Sequence, residues 1–342
     1  MRMDNLLNGK AVLVTGGTGS FGKKFVSTLL TKYKPRKVVV FSRDELKQFE
    51  MMETPEFSPR HGIQYFIGDV RDLERLRTAF KGIDVIIHAA ALKQVPACEY
   101  NPFEAVKTNV LGAQNVITAA IEAGVKRVLA LSTDKAAGPI NLYGATKLCS
   151  DKLFIAGNHM AGLANTRFSV VRYGNVMGSR GSVIPYFQRQ AREFGKITVT
   201  DSRMTRFSIT LEEGVDFVLA SLGRMDGGEL FVPKIPSYRI LDVAEAVAPG
   251  VPIEEIGIRP GEKLHESMIT SNDSRSTVEY DDYYVIQPTL QWWTSSKKDD
   301  GTPCQEGFSY RSDKNDRWLT VEDLRRLIEN KCGAAVEGGK NQ

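Results

Sequence analysis

The chain has only four cysteines, Cys98, Cys149, Cys304 and Cys332, far apart and with no CxxC pair. That excludes a zinc knuckle and a dense disulfide framework, and it suits a cytoplasmic setting. The four histidines, His61, His88, His159 and His265, lack the spacing of metal ligands, so no metal is expected. No apolar run approaches the ~18 residues of a membrane span, and residues 1–10 lack the apolar stretch of a secretory leader. No membrane partner is expected. A block of one charge is missing too: Lys+Arg 45 against Asp+Glu 41 leaves +4, spread along the chain. Nucleic-acid binders gather basic residues on one face, so that partner is not expected either. What remains is an ordinary globular composition, 42% hydrophobic and 25% charged, long enough for a large core with an appended lobe.

The first half alternates short β-branched runs with amphipathic stretches. Residues 11–14, 38–41, 65–67, 85–87 and 127–131 have strand length and are bounded by polar or turn residues. Between the first two, Phe21, Phe25, Leu29, Leu30 and Tyr33 fall on one helical face; residues 72–80 and 102–123 read as helices in the same way. Strand–helix repetition with continuous apolar strands predicts an α/β fold, a doubly wound parallel sheet of Rossmann type. After about residue 175 the pattern loosens. Turn-rich pieces at 177–181, 233–237 and 259–261 separate helices at 183–194 and 212–225. The expected organisation is a dinucleotide-binding domain over 1–175, its sheet completed by later segments, and a smaller interleaved lobe over 176–290. Residues 291–342 form an extension without a motif, with 295–301 and 311–317 expected exposed and the last ten residues frayed.

Gly16, Gly19 and Gly22 follow the first strand directly and open the first helix. Their spacing is one residue wider at the first gap than the usual dinucleotide fingerprint. Glycine suits a tight turn where backbone approaches a pyrophosphate, and the helix start offers free N–H groups. A plain turn is the bland alternative. The second strand ends Ser42-Arg43-Asp44-Glu45, where an NAD enzyme usually carries an acidic residue for the ribose. Arg43 can stack on adenine and pair with a 2′-phosphate, and Lys47 is a second cation within reach, which favours NADP. The other reading keeps Arg43 as a solvated charge and gives Asp44 the NAD role. Asp69 and Val70, after the third strand, suit the adenine edge; an aspartate there is otherwise a helix cap.

Tyr143 and Lys147 stand at i and i+4, on one face if the segment is helical. A fixed cation favours phenolate, so Tyr143 could shuttle a proton. Ten residues earlier the fifth strand ends Ser132-Thr133-Asp134-Lys135, where side chains at a carboxyl edge face a nicotinamide cleft. A Tyr-xxx-Lys spacing alone also describes a surface helix pair.

Together these residues resemble the extended short-chain dehydrogenase/reductases, and within them the inverting UDP-N-acetylglucosamine 4,6-dehydratases that open pseudaminic acid biosynthesis and serve flagellin glycosylation. The glycine loop, Ser42 to Gln48, Gly68 to Asp72, His88 to Pro96, Ser132 to Ala137 and Asn141 to Lys147 carry the likeness. Arg172 to Val176, Met204 to Phe207 and Ile258 to Glu266 continue it, so that it spans about 6–289. Retaining relatives have Asp-Glu where this chain has Asp134-Lys135, and another inverting branch lacks the tyrosine.

The resemblance implies a hydro-lyase with tightly bound, recycled NADP, a UDP-sugar substrate and a homo-oligomer, dimer or hexamer. Hydride leaves sugar C4, water is lost across C5–C6, and the hydride returns to C6 with inversion at C5, giving the L-arabino 4-keto-6-deoxy sugar. Tyr143, with Lys147 and Thr133 beside it, would act at the C4 hydroxyl. Lys135 would take the C5 proton if nearby cationic charge and burial depress its pKa, and Asp134, held neutral, would protonate the departing C6 hydroxyl. Thr18, Ser20, Phe21, Glu45, Leu46 and Ala89 join the cofactor contacts. Lys93 is placed against cofactor or substrate, with core-edge packing as its plain alternative, and Asn109 holds backbone near the site. Asn175, Arg180, Arg206, Arg259 and Glu262 are placed around the nucleotide-sugar, where guanidinium groups suit a diphosphate. Three readings compete: this dehydratase, a C4 epimerase or net oxidoreductase with no use for Asp134-Lys135, and a non-catalytic dinucleotide sensor free to lose Tyr143, Lys147 and Lys135.

Overall fold

Strands β1 (Ala11–Thr15), β2 (Lys37–Ser42) and β4 (Val85–His88) are buried along almost their whole length, because helices cover both faces of the sheet they form. A computed structural model describes residues 3–177, 183–289 and 300–337. With β3 (Ile63–Ile67), β5 (Arg127–Thr133) and β6 (Arg167–Tyr173) these strands run parallel in the order β3–β2–β1–β4–β5–β6. The order reverses between β1 and β4, and the crevice beyond their carboxyl ends is where such folds bind ligands. The sheet continues past β6 with Leu230–Pro233, parallel to it, and then with antiparallel Tyr283–Ile286, Thr277–Glu279 and Thr302–Pro303. Segments from far along the chain thus complete a ten-stranded sheet.

The helix read over 102–123 is interrupted. Pro102–Val106 and Gly112–Glu122 are joined by a π-helical turn, Lys107–Leu111, which carries Asn109. Such single wide turns break the regular ladder and re-aim side chains, often at functional sites. The helix Val183–Phe194 matches its expected bounds, and the next runs over Leu211–Arg224, opened by a capping box between Thr210 and Glu213.

A second, smaller core gathers Met177, Ile184, Phe187, Tyr238, Val243 and Leu324. Leu324 belongs to the C-terminal helix Val321–Glu337, which packs on Ile240–Val247. The expectation that residues 311–317 are exposed needs correction. Tyr310–Arg311 pairs antiparallel with Ser267–Ile269, the Tyr310 hydroxyl donates to the Ile235 carbonyl at 2.8 Å, and Ser312 is fully buried. The polar run reads as solvated, but its hydroxyls meet backbone partners in the interior. The helix also extends through Glu337, into the stretch expected to fray; residues 338–342 and 290–299 lie outside the described residues.

Candidate active site

The crevice begins at the end of β1. Gly16 has φ +67°, and a Cβ there would lie 3.0–3.1 Å from the Ala89–Ala90 backbone, so the loop needs glycine at this point. Thr15 ties the loop to β4: its hydroxyl contacts His88 Nδ1 at 2.9 Å and accepts from the Ala89 and Ala90 N–H groups. Burial drives the pKa of His88 down to about 3, so this imidazole is neutral. The helix Ser20–Lys32 starts from Gly19 with no side-chain cap, which leaves its first N–H groups available to an anion. Ser20, Phe21 and Gly22 form its first turn, with Gly22 packed on the backbone of Gly17. Thr18 reaches β2 through a 3.0 Å hydroxyl contact with Ser42.

At the end of β2 the two acidic candidates are already engaged. Asp44 caps the helix Glu45–Met52 by accepting from the Lys47 N–H at 3.0 Å, and it pairs with the Lys47 ammonium at 2.5 Å. Asp69 accepts from Arg71 and stands 3.8 Å from Arg43. Arg43 is exposed, with this one distant ion pair. Glu45 and Leu46 open the Asp44-capped helix, Leu46 exposed, while Val70 is buried. A ribose hydroxyl would find no free carboxylate here, whereas a 2′-phosphate would find a free guanidinium.

Lys93 is exposed rather than packed at the core edge. The backbone next to it is fixed by Asn109, whose amide accepts from the Leu92 N–H at 2.8 Å and donates to the Leu92 carbonyl at 2.9 Å. Asn109 also donates to Thr146 Oγ1 at 3.0 Å, so the π turn joins the loop after β4 to the helix Leu142–Ala161. Asn141 caps that helix through Gly144 N–H and donates to the Gly261 carbonyl at 2.8 Å. The Arg-Pro-Gly-Glu turn is thereby fastened to the start of the helix that carries Tyr143 and Lys147.

Beyond β5 the chain makes a single turn, Asp134–Ala136, capped by Thr133. Lys135 Nζ lies 3.1 Å from Asp134 Oδ1, 3.2 Å from Glu266 Oε1 and 3.4 Å from Asn175 Oδ1. Thr133 donates to Asp134 Oδ1 at 2.9 Å. Burial by itself would lower the pKa of Lys135, but the Asp134 and Glu266 carboxylates outweigh it and carry the amine above its ordinary value. This corrects the expectation of an amine depressed by cationic charge: the nearest charges are negative. Asp134 is pushed up, first by desolvation and then by Glu266, with Lys135 opposing. Tyr143 is also pushed up, to about 12, by burial, and among charges Lys135 most opposes this. Lys147 instead donates to the Leu131 carbonyl at 2.7 Å. The ligand-free site therefore holds a phenol, not the phenolate that the i, i+4 spacing suggested.

Arg206 is buried, and its guanidinium donates to the Thr205 and Leu264 carbonyls at 2.8 and 3.0 Å. It faces Glu262 at 3.6 Å and Glu266 at 3.8 Å. Arg259 is exposed in the turn it shares with Glu262, and Arg180 lies outside the described residues. Three groups were not singled out. Glu266 and Lys263 stand in a quoted motif but act across long sequence distances, Lys263 donating to the Ala137 carbonyl at 2.6 Å. Behind the site, Asp151 accepts from Ser132 at 2.7 Å and pairs with Arg172 at 3.1 Å, locking β5, β6 and the Tyr143 helix together. Among the described residues, no cluster could hold a metal ion and no helix is long and apolar enough to cross a membrane.

A doubly wound sheet, an uncapped glycine-led helix start and a tyrosine–lysine helix beside the β5 edge define an extended short-chain dehydrogenase/reductase. More narrowly, the chain belongs to the family described as "Polysaccharide biosynthesis protein", which it matches over residues 12–288. It is 53% identical over 336 residues, 96% of this chain and 100% of the relative, to the UDP-N-acetylglucosamine 4,6-dehydratase (inverting) of Campylobacter jejuni. A UDP-glucose 4-epimerase of Rickettsia canadensis is 42% identical, over 81% of this chain and 82% of its own length. The X-ray structure of Pen from Bacillus thuringiensis superimposes with a TM-score of 0.85 at 41% identity, covering 95% of this chain and 99% of that one.

Proposed function

We propose that this chain is an inverting UDP-N-acetylglucosamine 4,6-dehydratase that uses NADP, and that it supplies the first step of pseudaminic acid biosynthesis. The observation that carries the reading is the 3.1 Å contact between Lys135 Nζ and Asp134 Oδ1 beside Tyr143. One proton moved along that contact converts an ammonium and a carboxylate into an amine and a carboxylic acid. Those are the base for the sugar C5–H and the acid for its C6 hydroxyl, made together and without net charge in a buried site. An epimerase that works only at C4 has no use for such a pair.

Bound NADP would accept the C4 hydride and give it back at C6. The uncapped N–H groups after Gly19 fit its pyrophosphate, and Arg43 fits its 2′-phosphate. Tyr143, assisted by Thr133, takes the C4 hydroxyl proton. The resulting ketone acidifies C5–H, the Lys135 amine removes that proton, and Asp134 protonates the C6 hydroxyl, which leaves as water. Reprotonation of C5 from the Lys135 side then sets the inverted configuration. Arg259, Glu262, Asn175 and Lys93 are the nucleotide-sugar contacts. Arg206, tied to backbone carbonyls, shapes the pocket from behind.

Proton NMR of the product formed from UDP-N-acetylglucosamine in deuterium oxide tests the reading. A new C6 methyl signal, deuterium at C5 and the L-arabino configuration are expected; a C4 epimer with its C6 methylene intact would overturn it. The cofactor choice has its own check. Arg43→Ala should weaken NADP binding about tenfold, the loss of one charge-assisted phosphate contact, and leave NAD binding unchanged in titration calorimetry. Equal losses for both cofactors would argue that Arg43 only stacks on adenine.

A further inference from the structure

Glu266 immediately precedes the strand Ser267–Ile269 of the smaller lobe and is only 2% exposed. Its Oε1 touches Lys135, while its Oε2 has no hydrogen-bond partner. Asp134 Oδ2 is buried without a partner as well. The backbone of Glu266 is held on both sides by one residue of the C-terminal segment. Its N–H donates to Ser312 Oγ at 2.9 Å, and its carbonyl accepts from the Ser312 N–H at 2.9 Å. Ser312 Oγ also meets Thr205 Oγ1 at 2.7 Å, next to Arg206 in the chain.

We propose that Glu266 is a positioning residue for the dehydration, holding the Lys135 amine against Asp134, and that Ser312 holds Glu266. The inference rests on the function proposed above. A lysine has about 2 kcal/mol of rotamer entropy, and one carboxylate contact leaves its amine free to swing. A second carboxylate on the other side, anchored through backbone to a different part of the fold, fixes where the nitrogen sits. The 3.4 Å contact with Asn175 is too long to do this alone.

Glu266 also sets the charge around the pair. Facing the cluster are Lys135, Asp134 and Tyr143 from the large domain, Arg206 and Tyr238 from the lobe strands, and Lys263, with Arg172 beyond it. His265, the neighbour in sequence, turns to Thr205 at 2.9 Å. Burial works against an ionised Glu266, but Lys135, Arg206 and Lys263 outweigh it and hold the carboxyl below its usual range. It is a constant negative charge over the working pH range. The reactive amine and acid contain the same number of protons as the resting ammonium and carboxylate. Activity then falls only when the pair gains a proton or loses one, and both macroscopic steps are raised by an adjacent fixed anion.

The decisive measurement is the pH dependence of kcat for the full-length enzyme with NADP and UDP-N-acetylglucosamine. Glu266→Gln should move both limbs of the bell to lower pH by about one unit and lower the plateau about tenfold, with KM little changed. Glu266→Asp keeps the charge one methylene further off, so its limbs should return toward wild type while the plateau stays low. Limbs left in place by Glu266→Gln would overturn the inference whatever happens to kcat, since a structural role moves stability and not the bell. If the glutamine variant fails to fold, Glu266→Asp and Ser312→Ala decide: a lower plateau at unchanged KM is expected of both, and wild-type plateaus sink the proposal. A wild-type enzyme that forms no keto-deoxy sugar overturns the function and this inference together. A wild type that forms it, with limbs unmoved by Glu266→Gln, overturns this inference alone.

Discussion

Lys135→Gln should stop elimination while leaving oxidation at C4 in place. Turnover to the methyl product is expected to fall about a thousandfold, within the range contributed by one positioned general base. An amide at this position can still donate toward Asp134 Oδ1 and Glu266 Oε1, now 3.1 and 3.2 Å from the amine, so the two carboxylates keep a donor. It cannot take a proton from C5. In a single turnover, reduced nicotinamide should therefore build up by absorbance with no C6 methyl signal in the NMR spectrum. Tyr143→Phe should show the opposite pattern, with no reduced nicotinamide at all, because the hydroxyl that accepts the C4 proton is gone. Should Lys135→Gln retain a tenth or more of wild-type turnover, the base must be sought elsewhere, and Lys263 would be the next amine to examine.

What could be read from the sequence follows how local each feature is. The strands β1, β2, β4 and β5 announce themselves as apolar runs because both their faces are covered. β6 does not, since Ser169 and Arg172 interrupt it, and the Glu229 and Asp151 carboxylates that satisfy them lie far along the chain or on another element. In the same way Tyr143, Lys147, Asp134 and Lys135 are legible through fixed spacing at a strand end and a helix start. The direction of the Lys135 shift was not, because it depends on Glu266, which arrives from the other lobe. Asp44 shows the converse. Its type and position suggested a ribose ligand, yet a helix begins one residue later and takes its carboxylate as a cap. The polar C-terminal stretch is legible only as hydrophilic; that Ser312 is buried follows from the pairing of Tyr310–Arg311 with Ser267–Ile269.

The relation between Tyr143 and Lys135 is set by a contact that a single methyl group would break. A Cβ on Gly144 would sit 2.2 Å from the Lys135 carbonyl oxygen and 3.0 Å from its carbonyl carbon. Both are backbone atoms of the capped turn Asp134–Ala136, so no side chain can swing aside to make room. Gly144→Ala must displace either the turn or the helix start, and Asn141, fastened to both Gly144 and Gly261, would move with it. A displacement of about 1 Å between reacting groups costs on the order of a hundredfold in rate, and forced overpacking costs about 1–3 kcal/mol of stability. The expected result is a kcat lower by about that hundredfold with a lowered Tm. Gly214→Ala supplies the contrast. In the helix Leu211–Arg224 its added Cβ would come no nearer than 4.0 Å to Ile209, so it should raise Tm through helix propensity, by up to about 1 kcal/mol, and leave kcat alone. If both alanine variants behaved alike, the close seating of the Tyr143 helix on the Lys135 turn would not be what aligns the phenol with the amine.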